Sequence, residues 1–120
     1  MSMDHPGAVR LSFVIPVRDD AARLRKCLVS IQRAIAASTG TELLVVDNES
    51  HDGSPDVARD MGALVLTASG RVAELRNLGA AKASGALLAF VDADHEVGRD
   101  WLTHAFAALA DPGVGAAGAP

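Results

Sequence analysis

The chain has 120 residues, enough for one domain with one sizeable core. Its content of 49% hydrophobic and 22% charged residues predicts a packed globule and excludes an intrinsically disordered segment. The net charge of −4 at pH 7 argues against a general nucleic-acid binder, which would carry a basic surface.

Cysteine usage and hydropathy point to a cytoplasmic protein. Cys27 is the single cysteine, so the chain can form neither an internal disulfide nor a cysteine-based zinc site. No apolar run approaches the roughly 20 residues of a membrane helix, and residues 1–10 lack the apolar segment of a secretory signal. We therefore expect a cytoplasmic chain without a membrane span.

Strand-like and helix-like segments alternate along the chain. Runs rich in valine, leucine and isoleucine predict four strands covered on both faces, at residues 11–17, 43–46, 63–66 and 87–91. Between and after them, helical spacing and capping signals predict helices at about residues 21–37, 55–62, 72–84 and 100–110. Ser54 is the predicted N-cap of the second helix, ahead of Pro55 at its first position.

This β-α-β-α-β-α-β-α order predicts an α/β fold, a three-layer α/β/α arrangement around a mainly parallel sheet. We find no internal linker, so residues 1–120 are predicted to form a single domain. In such sheets ligands bind beyond the carboxyl ends of the strands, near the point where the strand order reverses. The segments that follow the four strands are PVRDD, DNES, TASG and DADH, and these are the candidate binding loops.

Two aspartates, Asp92 and Asp94, come directly after the last predicted strand. Both carboxylates can face one cleft if the chain leaves β geometry there, and hard oxygen ligands suit Mg²⁺ or Mn²⁺. Such an ion would neutralise a diphosphate that an acidic protein otherwise repels. The D-x-D pattern alone is unspecific, so a solvated strand end is an equally good interpretation. Without HxH or HExxH spacing, His51 and His95 are interpreted as ordinary loop histidines.

The other loops add one acid and two cations. Asp47 ends a buried strand, where its carboxylate would accept a base N–H or ribose hydroxyls, while residues 52–54 are interpreted as turn and cap residues. Arg71 and Arg76 lie near the N-terminus of the third helix, which favours anions, and Arg76 is the candidate for holding a nucleotide. Glu96 is interpreted as a turn residue.

In chain order, the motifs are VIPVRDD, VVDNESHDGS, LRNLG and GALLAFVDADH. Together they resemble the inverting family 2 glycosyltransferases of GT-A fold, whose pattern is VIPxYNE, VVDDGSxDG, ARNxG and GxxxxFxDADD. The resemblance extends from about residue 11 to residue 109, in the same order and at similar spacing. It implies a GT-A glycosyltransferase that binds a nucleoside-diphosphate sugar with Mg²⁺ or Mn²⁺ and transfers the sugar with inversion to an unknown acceptor.

The resemblance also implies a role for individual residues. Asp47 would contact the base and Arg76 the base or phosphates, while Pro16 and its neighbours would line the base pocket through the backbone. Asp92 would lie at the ribose side of the metal site, and Asp94 would bind the metal. The implied nucleotide-sugar site is Pro16, Arg18, Asp20, Asp47, Arg76, Asp92 and Asp94, with Asp92 and Asp94 as metal ligands.

Four positions depart from the family pattern. Arg18 stands at the usual tyrosine, so stacking on the base would fall to a guanidinium plane. Asp20 replaces the family's glutamate and Asp19 its usual asparagine. Glu49 replaces a frequent glycine, and no neighbouring residue explains its extra charge.

Family members normally continue well beyond this length, into the acceptor site and the catalytic base. We therefore expect a nucleotide-sugar-binding N-terminal half, with the base beyond residue 120 and exposed apolar surface that favours homo-oligomers. One alternative is a non-catalytic nucleotide-sugar-binding module or pseudo-enzyme that lacks the base. Another is an aspartyl-phosphate phosphatase with Asp92 as nucleophile, which Glu96 disfavours because that motif has threonine or valine there.

Overall fold

The computed structural model describes residues 11–35, 40–98 and 100. The elements in chain order are β1 (Leu11–Val17), α1 (Ala21–Ala34), β2 (Thr41–Asp47), α2 (Ser54–Asp60), β3 (Leu64–Thr67), α3 (Val72–Lys82) and β4 (Leu87–Phe90). The four predicted strands and first three predicted helices are thus confirmed, while the helix predicted at 100–110 falls almost wholly outside the described residues. Among the described helices, none has the length and apolar character to cross a membrane.

The four strands form one parallel sheet in the order β3-β2-β1-β4. The chain runs from β1 through β2 to β3 and then returns past β1 to place β4 on its other side. Because parallel crossovers are right-handed, this reversal of direction puts the third crossover helix on the opposite face of the sheet. Helices α1 and α2 cover one face and α3 covers the other, which confirms the three-layer prediction.

The larger core lies between the sheet and helices α1 and α2. Phe13, Ile15 and Val45 project onto this face from the two central strands and are fully buried. Helix α1 meets them with a stripe at the predicted i, i+3, i+4, i+7 spacing, formed by Leu24, Cys27, Leu28 and Ile31. Burial of each large apolar side chain contributes about 1.5–3 kcal/mol, so this stripe fixes α1 firmly on the sheet.

Helix α3 covers the opposite face, and a glycine lets it approach the sheet closely. A Cβ atom on Gly79 would lie 2.3 Å from Val14 Cγ1 and 3.2 Å from Val46 Cγ2. Leu75, one turn earlier, packs in the same small core as these two valines. The close contact holds the first turns of α3 beside the carboxyl ends of the strands.

The edge strands differ from the sequence prediction. Leu88 and Phe90 of β4 are 41% and 43% exposed, and Leu64 of β3 is exposed as well. All three lie on the face that α3 covers, but α3 packs over β1 and β2 at the centre of the sheet. The prediction that every strand is covered on both faces is therefore wrong for β3 and β4. Self-association through this apolar surface stays a prediction.

Candidate functional site

A cleft of about 360 Å³ opens at the carboxyl ends of the strands, beside the first turns of α3. It lies next to β1, where the strand order changes direction, which is the usual ligand position in open α/β sheets. Its volume is within the range of small-molecule sites. The lining residues are Pro16, Val17, Arg18, Asp20, Asn48, Val72, Leu75, Arg76, Asp92, Ala93 and Asp94.

Hydrogen bonds join the loops that follow β1 and β2 on one side of this cleft. The backbone N–H of Asp19 donates to Ser50 Oγ at 2.9 Å, and Asp19 Oδ1 accepts from the backbone N–H of His51 at 2.6 Å. Asp19 has a φ of 48°, a left-handed conformation that aspartate tolerates better than most residues. Asp19, which stands at the family's usual asparagine, therefore links the two loops.

Asp52 extends this cross-link to the N-terminus of α1. Its Oδ2 accepts from the backbone N–H of Ala21 at 3.0 Å, and its Oδ1 accepts from both the N–H and the hydroxyl of Ser54. Ser54 Oγ in turn accepts from the backbone N–H of Asp20 at 3.3 Å. The predicted N-cap role of Ser54 is wrong, since Gly53 holds that position and α2 has no side-chain cap. Ser54 instead joins the two loops from a fully buried position.

These bonds give Asp52 a role in stability at acidic pH. The hydrogen bonds from Ser54, and to a lesser extent from Ala21, lower the pKa of the Asp52 carboxyl below its ordinary value of 3.8. Since the folded state favours the carboxylate, the stabilisation is fully present above that ordinary value and is lost as the pH falls through the lower, folded-state pKa.

We expect Asp52→Asn to lower the melting temperature at about pH 7 and to approach wild type as the pH falls through the folded-state pKa of Asp52, because both side chains are neutral below it. Thermal unfolding followed by circular dichroism across this range measures the difference. Asp60→Asn removes the same charge from an exposed position on α2 and serves as the control. A constant difference between Asp52→Asn and wild type at all pH values would contradict the prediction.

Glu49 adopts the conformation that its glycine counterpart in the family would favour. Its φ is 51°, and the left-handed region costs a residue with a Cβ roughly 1–2 kcal/mol. Glu49→Gly removes this cost, but glycine also gives the unfolded chain more conformational entropy, which offsets part of the gain. The net expectation is a rise in the free energy of unfolding of about 0.5–1 kcal/mol. Urea denaturation measures this change. Glu96→Gly, at an exposed loop glutamate without positive φ, should lower the same quantity, and equal effects of both changes would refute the strain at Glu49.

Residues 92–95 form a tight turn one residue after the end of β4. The backbone N–H of His95 donates to the carbonyl oxygen of Asp92 at 3.0 Å, which closes the turn. The side chains of Asp92, Asp94 and His95 consequently meet, with one ligand atom of each within 4.8 Å of the others. His95 Nδ1 lies 3.7 Å from Asp92 Oδ2 and 4.0 Å from Asp94 Oδ1. The prediction that Asp92 and Asp94 face one cleft fits this geometry, and His95 joins them.

Side chains of α1 form hydrogen bonds with the backbone of this turn and of the residues after it. Ser30 Oγ accepts from the backbone N–H of Val97 at 2.9 Å and donates to the carbonyl of Cys27 at 2.6 Å. Cys27 Sγ lies 3.7 Å from the carbonyl oxygen of Asp92 and donates to it. Burial, and then the negative charges of Asp94, Glu96 and Asp92, raise the pKa of this thiol to about 12, so it stays protonated. The acidic turn is therefore hydrogen-bonded to two uncharged side chains of α1.

Arg76 reaches this turn from α3. Its Nη2 donates to Asp92 Oδ1 at 2.8 Å, which leaves Oδ2 of the same carboxylate directed towards His95. Both side chains are about two-fifths exposed, so the pair contributes little to stability, and its main effect is to orient the carboxylate. The buried Nε of Arg76 has no hydrogen-bond partner among the described residues.

Asp47 lies deeper than the sequence predicts for a residue that contacts a ligand. It is only 2% exposed and does not line the cleft. Its Oδ2 accepts from the backbone N–H of Ser50 at 3.0 Å, whereas its buried Oδ1 has no hydrogen-bond partner among the described residues. An unpaired buried carboxylate oxygen is costly, so it requires a donor that the described protein atoms do not supply.

The structure brings six of the seven predicted site residues into one cleft, all except Asp47. The specific roles assigned to them remain predictions. The apolar wall formed by Val72 and Leu75 was not predicted, and neither was Asn48, whose Nδ2 donates to the carbonyl of Gly70 at 3.1 Å. Asn48 lies in DNES, one of the predicted binding loops, but it was not selected as a site residue. His95 lies beside Asp92 and Asp94 because the chain turns there. Such a turn leaves no periodic pattern in the sequence from which this contact could be predicted.

Comparisons with known proteins agree with the motifs. The model of the family described as glycosyl transferase family 2 matches residues 12–120. Glycosyltransferase AglE from Haloferax volcanii is 32% identical over 111 residues, which are 87% of this chain and 36% of that protein. Validoxylamine A glucosyltransferase from Streptomyces hygroscopicus subsp. jinggangensis is 34% identical over 89% of this chain and 28% of its own length.

Solved structures show the same fold. Mannosyltransferase PcManGT from Pyrobaculum calidifontis, in complex with GDP-Man and Mn²⁺, superposes with a TM-score of 0.79 at 27% identity. The alignment covers 90% of this chain and 34% of that one. This chain thus spans about a third of the length of the relatives that it matches.

Proposed function

The chain belongs to glycosyl transferase family 2, and on this premise we propose that its cleft binds a nucleoside-diphosphate sugar together with a divalent cation. The main observation in support is that the carboxylates of Asp92 and Asp94 line the cleft together. A tight turn holds them there, close to the position where the strand order changes direction. This region would be the donor-binding part of a transferase that moves the sugar to an acceptor.

The donor atoms fit a divalent cation. Asp92 and Asp94 offer hard carboxylate oxygens, which Mg²⁺ and Mn²⁺ both accept. Of the two cationic side chains that line the cleft, Arg76 is already paired with Asp92, which leaves the single charge of Arg18 against the two or three negative charges of a diphosphate. When bound, the divalent ion would neutralise the diphosphate and stabilise it as the leaving group.

We assign the nucleoside end to the opposite side of the cleft. The backbone of Pro16 and Val17 and the apolar side chains of Val72 and Leu75 provide a wall for a base, and exposed Arg18 can stack its guanidinium plane on it. Asp20 completes this side of the lining.

Asp47 is assigned to the base or ribose because its buried Oδ1 has no donor in the part of the chain that the structure describes. A base N–H or a ribose hydroxyl would provide one. Since Asp47 is buried, this contact requires a small movement at the end of β2 when the nucleotide binds.

The proposed reaction is displacement of the diphosphate by an acceptor hydroxyl, with inversion at the anomeric carbon. Asp92 and Asp94 would hold the cation that neutralises the departing diphosphate. An inverting displacement also needs a general base on the acceptor hydroxyl. We assign that base to a group outside the described residues, because Asp92 and Asp94 are committed to the cation and Asp20 lies beside Arg23.

Calorimetric titration of GDP, UDP and dTDP into the protein, with Mn²⁺, Mg²⁺ or a chelator, tests the proposal. At least one nucleotide should bind about tenfold more tightly with the cation than with the chelator. If none of the three nucleotides binds in a metal-dependent manner, the proposal is wrong. Metal-dependent binding by a full-length protein that never turns over a nucleotide sugar would instead favour the non-catalytic binding module.

A further inference from the structure

We propose that His95 is a third protein ligand of the cation and that its imidazole makes the site prefer Mn²⁺ to Mg²⁺. This inference rests on the proposed function, since it concerns the same cation. It departs from the sequence interpretation, in which His95 is an ordinary loop histidine. Three observations carry it: the spacing of the ligand atoms, the orientation of Asp92 and the support of the turn.

The spacing is too long for atoms bonded to each other and leaves room for an ion, since the ligand atoms of Asp92, Asp94 and His95 all lie within 4.8 Å of one another. His95 Nδ1 lies 3.7 Å from Asp92 Oδ2 and 4.0 Å from Asp94 Oδ1. Both distances exceed the range of a hydrogen bond, so the imidazole is bonded to neither carboxylate. Ligand atoms at about 2.0–2.2 Å from one ion lie about 3–4.3 Å from each other, depending on the angle between them. Both distances fall in that interval.

The orientation of Asp92 favours the same interpretation. Arg76 holds Oδ1 of this carboxylate through a bond of 2.8 Å, so the oxygen that faces His95 is the one left available. A hydrogen bond to the second oxygen is the usual support for a carboxylate that binds a metal. Arg76 is therefore a positioning residue for the cation in addition to any contact with the nucleotide.

The turn presents the three groups without rearrangement. The bond from the His95 N–H to the carbonyl of Asp92 fixes the backbone, and Cys27 and Ser30 hold the turn against α1. Asp94 and His95 are exposed, so both can reach an ion from solvent. A site on so well supported a loop loses little entropy when the ion binds.

Imidazole nitrogen changes the metal preference because the ions differ in their affinity for nitrogen. Mg²⁺ binds oxygen ligands almost exclusively and keeps much of its water, whereas first-row transition ions accept imidazole. With only Asp92 and Asp94 as ligands, the site would distinguish Mn²⁺ from Mg²⁺ weakly. Addition of His95 Nδ1 favours Mn²⁺.

The first test compares Mn²⁺ and Mg²⁺ binding, with GDP or UDP present, in wild type, His95→Ala and His51→Ala. His51 is the matched control, an exposed loop histidine in the β2–α2 loop. His95→Ala is expected to lower Mn²⁺ affinity about tenfold with much less effect on Mg²⁺, and His51→Ala should resemble wild type. Unchanged Mn²⁺ affinity in His95→Ala overturns the inference, as does an equal loss for both ions.

The second test detects the nitrogen ligand directly. Protein labelled with ¹⁵N-histidine and loaded with Mn²⁺ alone should show ¹⁵N modulation in electron spin echo spectra, and His95→Ala should lose it while His51→Ala keeps it. Absence of the modulation from labelled protein that binds Mn²⁺ and nucleotide would overturn the role of His95 and leave the proposed function intact. Failure of wild type to bind any nucleoside diphosphate in a metal-dependent manner would instead reject the proposed function, and the inference with it.

Discussion

Asp94→Ala is expected to reduce nucleoside-diphosphate affinity in the presence of Mn²⁺ by roughly tenfold, to the level measured with a chelator. The carboxylate is exposed, and among the described residues it accepts no hydrogen bond that the fold would lose. The effect should therefore appear in binding and leave the melting temperature within the small range of surface substitutions. Calorimetric titration of GDP and UDP, with Mn²⁺ and with a chelator, measures both affinities.

Glu96→Ala is the matched control for this change. Glu96 is an exposed carboxylate two residues further along the same loop, and it is not part of the group of ligand atoms around Asp92. Its removal alters the local charge equally but should leave the metal-dependent affinity within about twofold of wild type. Equal losses in both variants would show that the general negative field attracts the cation. Full retention of metal dependence in Asp94→Ala would remove this residue from the metal site.

Gly79→Val is expected to lower the free energy of unfolding by about 3 kcal/mol or more, the largest change in stability that we predict. The new Cβ would lie 2.3 Å from Val14 Cγ1, much closer than two carbon atoms can approach, and 3.2 Å from Val46 Cγ2. Both valines are fully buried in the centre of the sheet and cannot move aside freely. Helix α3 must then move away from the sheet, and Arg76 moves with it. Urea denaturation measures the loss.

Two further variants separate this clash from other effects of valine. Ala81→Val places the same side chain on the exposed side of the same helix, where it should cost only about 0.6 kcal/mol of helix propensity. Val14→Ala combined with Gly79→Val should cost less than the sum of the two single changes, because it removes the atom that the new Cβ meets. Strictly additive costs, or an equally harmful Ala81→Val, would contradict the clash.

The parallel topology explains why residues of one site are spread over the whole sequence. The carboxyl ends of β1, β2 and β4 meet at one edge of the sheet, so Arg18, Asn48 and Asp92 lie on the same cleft although long segments separate them in the chain. Parallel pairing with right-handed crossovers makes this convergence a general property of such sheets. Hence the residues that line the cleft can be predicted once the order and the boundaries of the strands are known, because they directly follow the strands.

The sequence alone determined the order of the elements, the three-layer arrangement and most of the cleft. Valine- and leucine-rich runs and the helical spacing in α1 are local patterns, and such patterns report directly which segments form strands or amphipathic helices. The motif order identified the family, and the aspartates after β4 were recognised from their position at a strand end.

Only the tertiary structure decided how individual side chains are used. Leu88 and Phe90 are exposed because β4 lies at the edge of the sheet, which α3 does not cover. An apolar run in the sequence does not show whether its strand lies at the edge or at the centre of the sheet. Asp47 is buried because it ends one of the two central strands. Arg76 pairs with Asp92 because α3 packs beside the segment that follows β4. His95 joins the carboxylates through a turn. Contacts between distant segments depend on packing, whereas a sequence pattern reports only the periodicity of its own segment.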